Sequence, residues 1–347
     1  MNHLQRGILG SLAGVATGDA LGMPVHELTK KEIFERCGGP VDRMLEPFDD
    51  EFIHLGYQAG QFTDDTILTL VTVRAILDNQ DRLTAVDMAD ALAEWAANNE
   101  DVWTHGLVFG PSTKRAFQAF MKGNHELFLD RSRNWCYLGT SDGCVMRVAP
   151  AGWVNPGELE AAVELACEVV LPTHPTHIAL SAAAAQAAAV SAALVEGATV
   201  SSVADAALRG ARLGDTIGRE KARVVAQPET EPRLELALEL AAKAGDPLEA
   251  GLLIQRTIGT HFHATEALSA AMGVFVAADG DPRDSIIAAA STGGDTDTIA
   301  SIAGALAGAL RGIDAVPVEW VALVEAVNDI SLSNLADEVN AYVEGHR

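Results

Sequence analysis

Basic side chains are scarce in this 347-residue chain: 24 Lys and Arg face 48 Asp and Glu, for a formal net charge of −24. Nucleic-acid affinity comes mostly from cations that neutralise phosphate, so this balance argues against a nucleic-acid partner. A small anionic ligand stays admissible, because a bound metal ion can reverse the local field. Cysteine is scarce too. Cys37, Cys136, Cys144 and Cys167 form no CxxC pair and match no zinc spacing. They read as packing thiols in a reduced, cytoplasmic protein. Aromatics make up 5% of the residues while hydrophobics reach 48%, and alanine is abundant, which suits closely packed helices. Alternating β-branched runs are few. No membrane span is convincing. Residues 7–22 are interrupted by Asp19 and by Gly7, Gly10, Gly14, Gly18 and Gly22, so a continuous signal-peptide core is missing. The Ala-rich run 179–198 carries Gln186 and two serines, and 299–310 is too short. Gly304 and Gly308 are spaced to let helix backbones pack closely in a soluble core. No repeat of fixed period and no domain linker is found, so residues 1–347 read as a single domain.

Helical periodicity and stop signals predict a first helix from Leu4 to Leu21 and further helices at 64–78, 84–98, 112–121, 158–170, 177–196 and 200–213. Others are predicted at 231–243, 247–256, 264–278, 282–290, 296–311, 317–328 and 332–344. Residues 37–62 read as a long loop, and loops of that length are usually functional.

Two of these helices begin alike. Gly293-Gly294-Asp295-Thr296-Asp297-Thr298 is a glycine turn leading into carboxylates, hydroxyls and a small-residue helix. Phe62-Thr63-Asp64-Asp65-Thr66 precedes a second apolar run. Each segment alone is an ordinary N-cap. Together they fit a split site for hard divalent cations, since clustered aspartates repel unless a positive charge lies between them. A metal pair ~4 Å apart is a known way to position a nucleophile and a substrate oxygen.

Four motifs, in order, resemble the ADP-ribosylglycohydrolase family: Gly18-Asp19-Ala20-Leu21-Gly22, Phe62-Thr63-Asp64-Asp65-Thr66, Val145-Met146-Arg147-Val148-Ala149-Pro150 and Gly293-Gly294-Asp295-Thr296-Asp297-Thr298. They span nearly the whole chain. The resemblance implies an all-α, orthogonal multi-helix bundle with two divalent ions, Mg²⁺ or Mn²⁺, in a surface cleft. It implies Thr63, Asp64, Asp65, Asp295, Asp297 and Thr298 as ligands, with Asp297 bridging. It puts a phosphate-binding loop on Ser141, Asp142, Gly143 and Cys144, and an adenine-side histidine on His174. Asp64 and Asp297 are expected to take part in catalysis. The family's glutamate seven residues after the Asp of the first motif is His26 here, with Glu27 beside it. Glu27 is expected to turn inward and serve the reacting centre, with His26 near the substrate. Asp142 stands where the family usually has Asn, which brings a negative charge to the diphosphate.

Other candidates are weaker. His54 and Tyr57 could line the mouth of a cleft, and Trp135 or Tyr137 could stack on a base or simply pack. His261 and His263 read as a surface or outer pair, His177 as structural, and Lys114-Arg115 as a solvated pair. The expected activity is metal-dependent cleavage of a glycosidic bond to ribose, in an ADP-ribosylated protein side chain or a small ADP-ribose conjugate. One alternative is a ribosyl compound without diphosphate, such as a nucleoside. Another is a non-catalytic role, as in the lens crystallins of this family. The oligomeric state stays open.

Overall fold

A computed structural model describes residues 1–50, 53–79, 82–105, 108–124 and 139–346. Its described residues form seventeen α-helices and no strand; three isolated bridges, Thr29–Gly293, Ser141–His263 and Thr176–Arg223, tie loops together. The all-α expectation holds. Cys136, Trp135 and Tyr137 lie outside the described residues.

The helix pair that positions the site is α1 (His3–Gly22) and α15 (Thr296–Arg311). Glycine at every fourth position gives α1 one bare stripe, and Gly304 and Gly308 give α15 another. The two helices run antiparallel, with their backbones almost touching. A Cβ at Gly14 would lie 2.0 Å from the Gly304 carbonyl oxygen, and one at Gly22 would lie 2.4 Å from that of Thr296. Such distances leave room for hydrogen alone. The C-terminal end of α1 is thereby fixed against the start of α15, and the Thr296 hydroxyl donates to the Gly22 carbonyl at 2.9 Å. By length and apolarity α1 could cross a membrane, yet its whole apolar window is buried.

A second small-residue pair joins α9 (His177–Ala193), an alanine-rich helix buried on nearly all sides, to α10 (Val200–Lys221). Here the sequence reading stops too early. It ends the helix at 213, whereas α10 continues through Gly214 and Gly218 to Lys221. Those glycines are contacts, not stops: a Cβ at Gly214 would sit 2.4 Å from that of Ala184, and one at Gly218 would sit 2.6 Å from the His177 Cα. Arg219 and Lys221 suit the negative end of the helix dipole.

Helix α2 (Lys30–Cys37) was not anticipated. Thr29 and Glu32 form a capping box at its start and Gly38 takes the left-handed conformation at its end. Two short helices, α5 (Glu100–His105) and α7 (Ala149–Trp153), also fell below what periodicity can show. The other predicted helices appear with ends shifted by a few residues.

Candidate active site

Asp19 lies in the last turns of α1 and is fully buried. Its carboxylate accepts hydrogen bonds from the Thr63 N–H at 3.0 Å and hydroxyl at 2.9 Å, and from the Thr66 N–H at 3.0 Å and hydroxyl at 2.6 Å. A side chain from a distant helix thus satisfies the exposed donors at the start of α3 (Asp64–Asn79). Thr63 and Thr66 face Asp19, and Asp64 and Asp65 between them line a cleft of about 810 Å³. Asp295, Asp297 and Thr298, at the start of α15, line the same cleft. The Thr298 hydroxyl donates to Asp65 Oδ2 at 3.4 Å across 233 residues of sequence, so the two acidic segments share one floor.

Asp295 begins α15 after a turn in which Gly293 and Gly294 both have positive φ, at 88° and 86°. The turn grips the segment after α1: the Glu27 N–H donates to the Gly294 carbonyl at 2.9 Å, and the Gly294 N–H donates to the Leu28 carbonyl at 3.0 Å. This pairing fixes which neighbour turns inward. His26 is buried, with Nδ1 2.7 Å from Asp297 Oδ1 and 3.5 Å from Asp295 Oδ1. Glu27 is held in the left-handed region at φ 63°, with its side chain 40% exposed and 3.6 Å from His261 at the cleft rim. The expectation of Glu27 inward is therefore corrected: backbone bonds to the glycine turn select His26. His54 is also buried in the cleft, 3.9 Å from Asp297 and edge-on to His26, with Tyr57 edge-on behind it.

The carboxylates of the floor disturb one another. Burial, reinforced by Asp297 and Asp19, pushes the Asp64 carboxyl well above the usual range. Burial does the same to Asp65, with Asp19, Asp297 and Asp64 adding to it. Asp295 is raised by burial and by Asp142 and Asp297. Burial also acts to raise Asp297, but the two histidines and a hydrogen bond with Asp295 outweigh it and hold that carboxyl below its ordinary value. Asp65 Oδ1 and Asp142 Oδ2 are buried without a hydrogen-bond partner among the described residues. Buried carboxylate oxygens left unpaired among other acids fit a divalent cation, and Asp64, Asp65, Asp295, Asp297 and Thr298 present the hard oxygen donors it needs.

The opposite wall is built from hydroxyls with a cation behind them. Arg147 is fully buried, and burial lowers its guanidinium to about 10. Its Nη2 donates to the Thr173 hydroxyl oxygen at 2.6 Å. That oxygen lies 2.7 Å from His174 Nδ1, and His174 Nε2 lies 2.8 Å from the Ser141 hydroxyl. Arg147 can only donate, and the Val170 carbonyl, a distant 3.4 Å from the Thr173 hydroxyl, already accepts two backbone N–H groups at 3.2 Å and 2.9 Å. The Thr173 proton is therefore assigned to His174 Nδ1, and Nε2–H donates to Ser141. The Ser141 proton is left for the cleft, which Ser141 lines. Burial, then Arg147, push His174 well below its ordinary value and keep it neutral. His174 itself is fully enclosed, so the expected contact with adenine is corrected: it stands behind Ser141 and acts through it.

The loop expected to bind phosphate is only partly available. The Asp142 N–H donates to the Phe262 carbonyl at 3.1 Å. The Asp142 side chain turns to Asp295, with burial raising it to about 6. Gly143 lines the cleft, whereas Cys144 is wholly buried and its thiol donates to the Ser141 carbonyl. Burial raises that thiol, and Cys37 and Cys167 are likewise buried free thiols. Thr63 donates to Asp19 at 2.9 Å, and its hydroxyl lies 3.4 Å from Asp65, behind the floor rather than on it.

A sequence model of the ADP-ribosylglycohydrolase family matches residues 1–347. The chain belongs to this family. Among its relatives, the uncharacterized protein YegU of Escherichia coli K12 is 28% identical over 337 residues, 96% of each chain. The ADP-ribosyl-[dinitrogen reductase] glycohydrolase of Rhodospirillum rubrum is 26% identical over 320 residues, 91% of this chain and 90% of that one. A solved structure titled ADP-ribosylglycohydrolase-related protein complex superposes with a TM-score of 0.69 at 22% identity, covering 99% of this chain and 100% of its own, which supports the fold.

Sequence reasoning missed two parts of this family member's site. The first is Asp19, whose motif was noted but whose task, capping α3, needs a contact across 44 residues. The second is the segment 260–264. The Asp295 N–H donates to the Thr260 carbonyl at 2.8 Å, and the Ala264 N–H donates to the Thr140 carbonyl at 2.9 Å. One strap thus binds the acidic floor to the Ser141 loop. His261 stands at its exposed edge, and His263 is half-buried against Gln227, lowered to about 4 by burial and Arg233. The alternation of His261 and His263 is the available signal, and it suits an outer pair behind the site as well as a surface one.

Proposed function

We propose that this protein hydrolyses a glycosidic bond to ribose in an ADP-ribosylated side chain or a small ADP-ribose conjugate, with divalent metal held by the acidic floor. The observation that carries this reading is the polarity of the cleft. Five buried aspartates face it on one side, and an Arg147-backed hydroxyl faces it on the other. When bound, two Mg²⁺ or Mn²⁺ ions would supply Lewis-acid orientation of the ribose hydroxyls. Asp64, Asp65, Asp295, Asp297 and Thr298 are the residues that would hold them.

The chain's own groups supply the rest. Ser141 donates its free proton to a phosphate oxygen. The negative floor favours the positive character that develops at the anomeric carbon. Asp64, on the cleft floor, is the carboxylate that accepts the proton of the attacking water. Glu27, at the rim, is placed to meet the aglycone rather than the reacting carbon. Buried free thiols agree with a cytoplasmic, reduced setting, and the chain works as a single domain in this reading.

Asp142 supports a second reading, in which the ribosyl substrate lacks diphosphate, because a buried acid grows from the loop that phosphate would approach, even though its side chain turns to the floor. A hydrolysis screen with and without divalent metal separates the two. It should include ADP-ribosyl-arginine, ADP-ribosyl-serine, O-acetyl-ADP-ribose and a set of nucleosides. Metal-dependent release of ADP-ribose is expected; turnover of nucleosides alone would transfer the function to the second reading.

A further inference from the structure

We infer that the metal site on the cleft floor takes a nitrogen ligand, His26, among its carboxylates, and that it selects a first-row transition ion over Mg²⁺. This rests on the metal-dependent reading above. His26 Nδ1 and one oxygen each from Asp295 and Asp297 lie within 4.8 Å of one another, all three residues buried. The separations from Nδ1, 2.7 Å and 3.5 Å, bracket the spacing of about 3 Å between neighbouring ligands on an octahedral ion with bonds of ~2.1 Å. The three atoms lie close enough together to share one ion.

The placement is not a loose side chain's choice. His26 is fixed by the paired bonds of residues 27 and 28 to Gly294, and Asp295 follows that glycine directly. Nitrogen and oxygen donors are therefore delivered by one rigid joint. The Asp65 side chain is 1% exposed and that of Asp142 is similarly enclosed. Each leaves an oxygen without a partner among the described residues and lines the same cleft. A lone imidazole paired with Asp297 does not answer those oxygens; a cation would.

Donor chemistry then decides which ion. Mg²⁺ holds to oxygen and sheds its waters reluctantly. Imidazole suits Zn, Cu, Fe and Ni, and divalent affinity rises from Mn²⁺ through Co²⁺ to Cu²⁺. A floor offering one ring nitrogen beside two carboxylates discriminates against Mg²⁺ in a way that an all-oxygen floor does not.

The test uses the full chain, stripped of metal and titrated calorimetrically with Mg²⁺, Mn²⁺ and Co²⁺. Electron spin-echo spectra of the Mn²⁺-loaded wild type are recorded alongside. Co²⁺ should bind at least about tenfold more tightly than Mg²⁺, and bound Mn²⁺ should show ¹⁴N modulation. His26→Gln should weaken Co²⁺ by about tenfold or more, leave Mg²⁺ nearly unchanged and diminish the modulation. His54→Gln, which should leave the modulation in place, keeps the assignment to His26 testable if His26→Gln does not fold. Binding of Mg²⁺ and Co²⁺ with equal affinity and no ¹⁴N signal would overturn the nitrogen ligand while leaving the metal-dependent reading intact. Failure of all three ions to bind would overturn both.

Discussion

Arg147, Thr173, His174 and Ser141 pass hydrogen bonds from a buried cation to the cleft surface, each group orienting the next. Across from them Asp64, Asp65, Asp142, Asp295 and Asp297 crowd together, and two of their oxygens have no hydrogen-bond partner among the described residues. The hydroxyl wall carries its positive charge inside the protein; in the proposed reading the acidic floor takes one from outside. That contrast shows where each external partner belongs. In that reading a cation completes the floor, and an electronegative part of the substrate meets the hydroxyl. Asp142 follows the same division. Its backbone belongs to the loop of Ser141, yet its side chain bonds with Asp295 and joins the floor.

The contrast can be broken hardest at the floor. Asp297→Asn should lower turnover by about 10²–10⁴ and remove most of the rise in melting temperature that divalent metal gives the wild type. Steady-state rates and thermal melts read both. Next is the helix pair that holds the floor in place. Gly14→Val should cost about 3 kcal/mol or more, because the new side chain meets the Gly304 backbone. Urea unfolding measures it.

The third prediction concerns pH. Asp142 is raised from 3.8 to about 6 in the folded protein, so between those values the folded state binds more protons than the unfolded. Metal-free stability should therefore fall as pH rises through that window. Asp64, Asp65 and Asp295, raised in the same direction, extend the fall upward. Saturating metal should flatten it; melts between pH 4 and pH 8 with and without chelator decide.

The opposite wall should respond more gently. Thr173→Val removes the group that orients His174, and should weaken ADP-ribose by about 1 kcal/mol without changing metal affinity. Calorimetry with each ligand separates the walls. The smallest effect belongs to Asp142→Asn. With its side chain turned to Asp295, removal of its charge should tighten ADP-ribose only a few-fold, less than a carboxylate pointed at diphosphate would. A large gain in the same titration would show that Asp142 belongs with the hydroxyl wall.

The parts of this site legible in the sequence were those written locally. Glycines before paired acids announce a turn and a helix start, and both α3 and α15 begin there. The spacing of Gly304 and Gly308 announced close helix packing. What was not legible depends on partners far along the chain. Whether His26 or Glu27 turns inward is set by the carbonyl of Gly294. The tautomer of His174 is set by Arg147 through Thr173. Nothing near residue 218 tells a reader that its glycine faces another helix and does not end its own. Local signals name the candidates; long-range hydrogen bonds and close approaches distribute their roles.

The glycine seam between α1 and α15 has a consequence for synthesis. Its two halves are separated by 274 residues at the Thr296–Gly22 contact. Helix α1 emerges early, long and apolar enough to suit a bilayer, while the surface that will cover it is not yet made. Until α15 arrives the nascent chain carries an uncovered sticky helix, and contacts of such sequence separation form slowly. Asp295 and Asp297 arrive with α15, so the seam closes and the floor assembles in one event. A ribosome-bound chain stopped before residue 296 would have neither, and chaperone occupancy should persist until the whole of α15 has emerged.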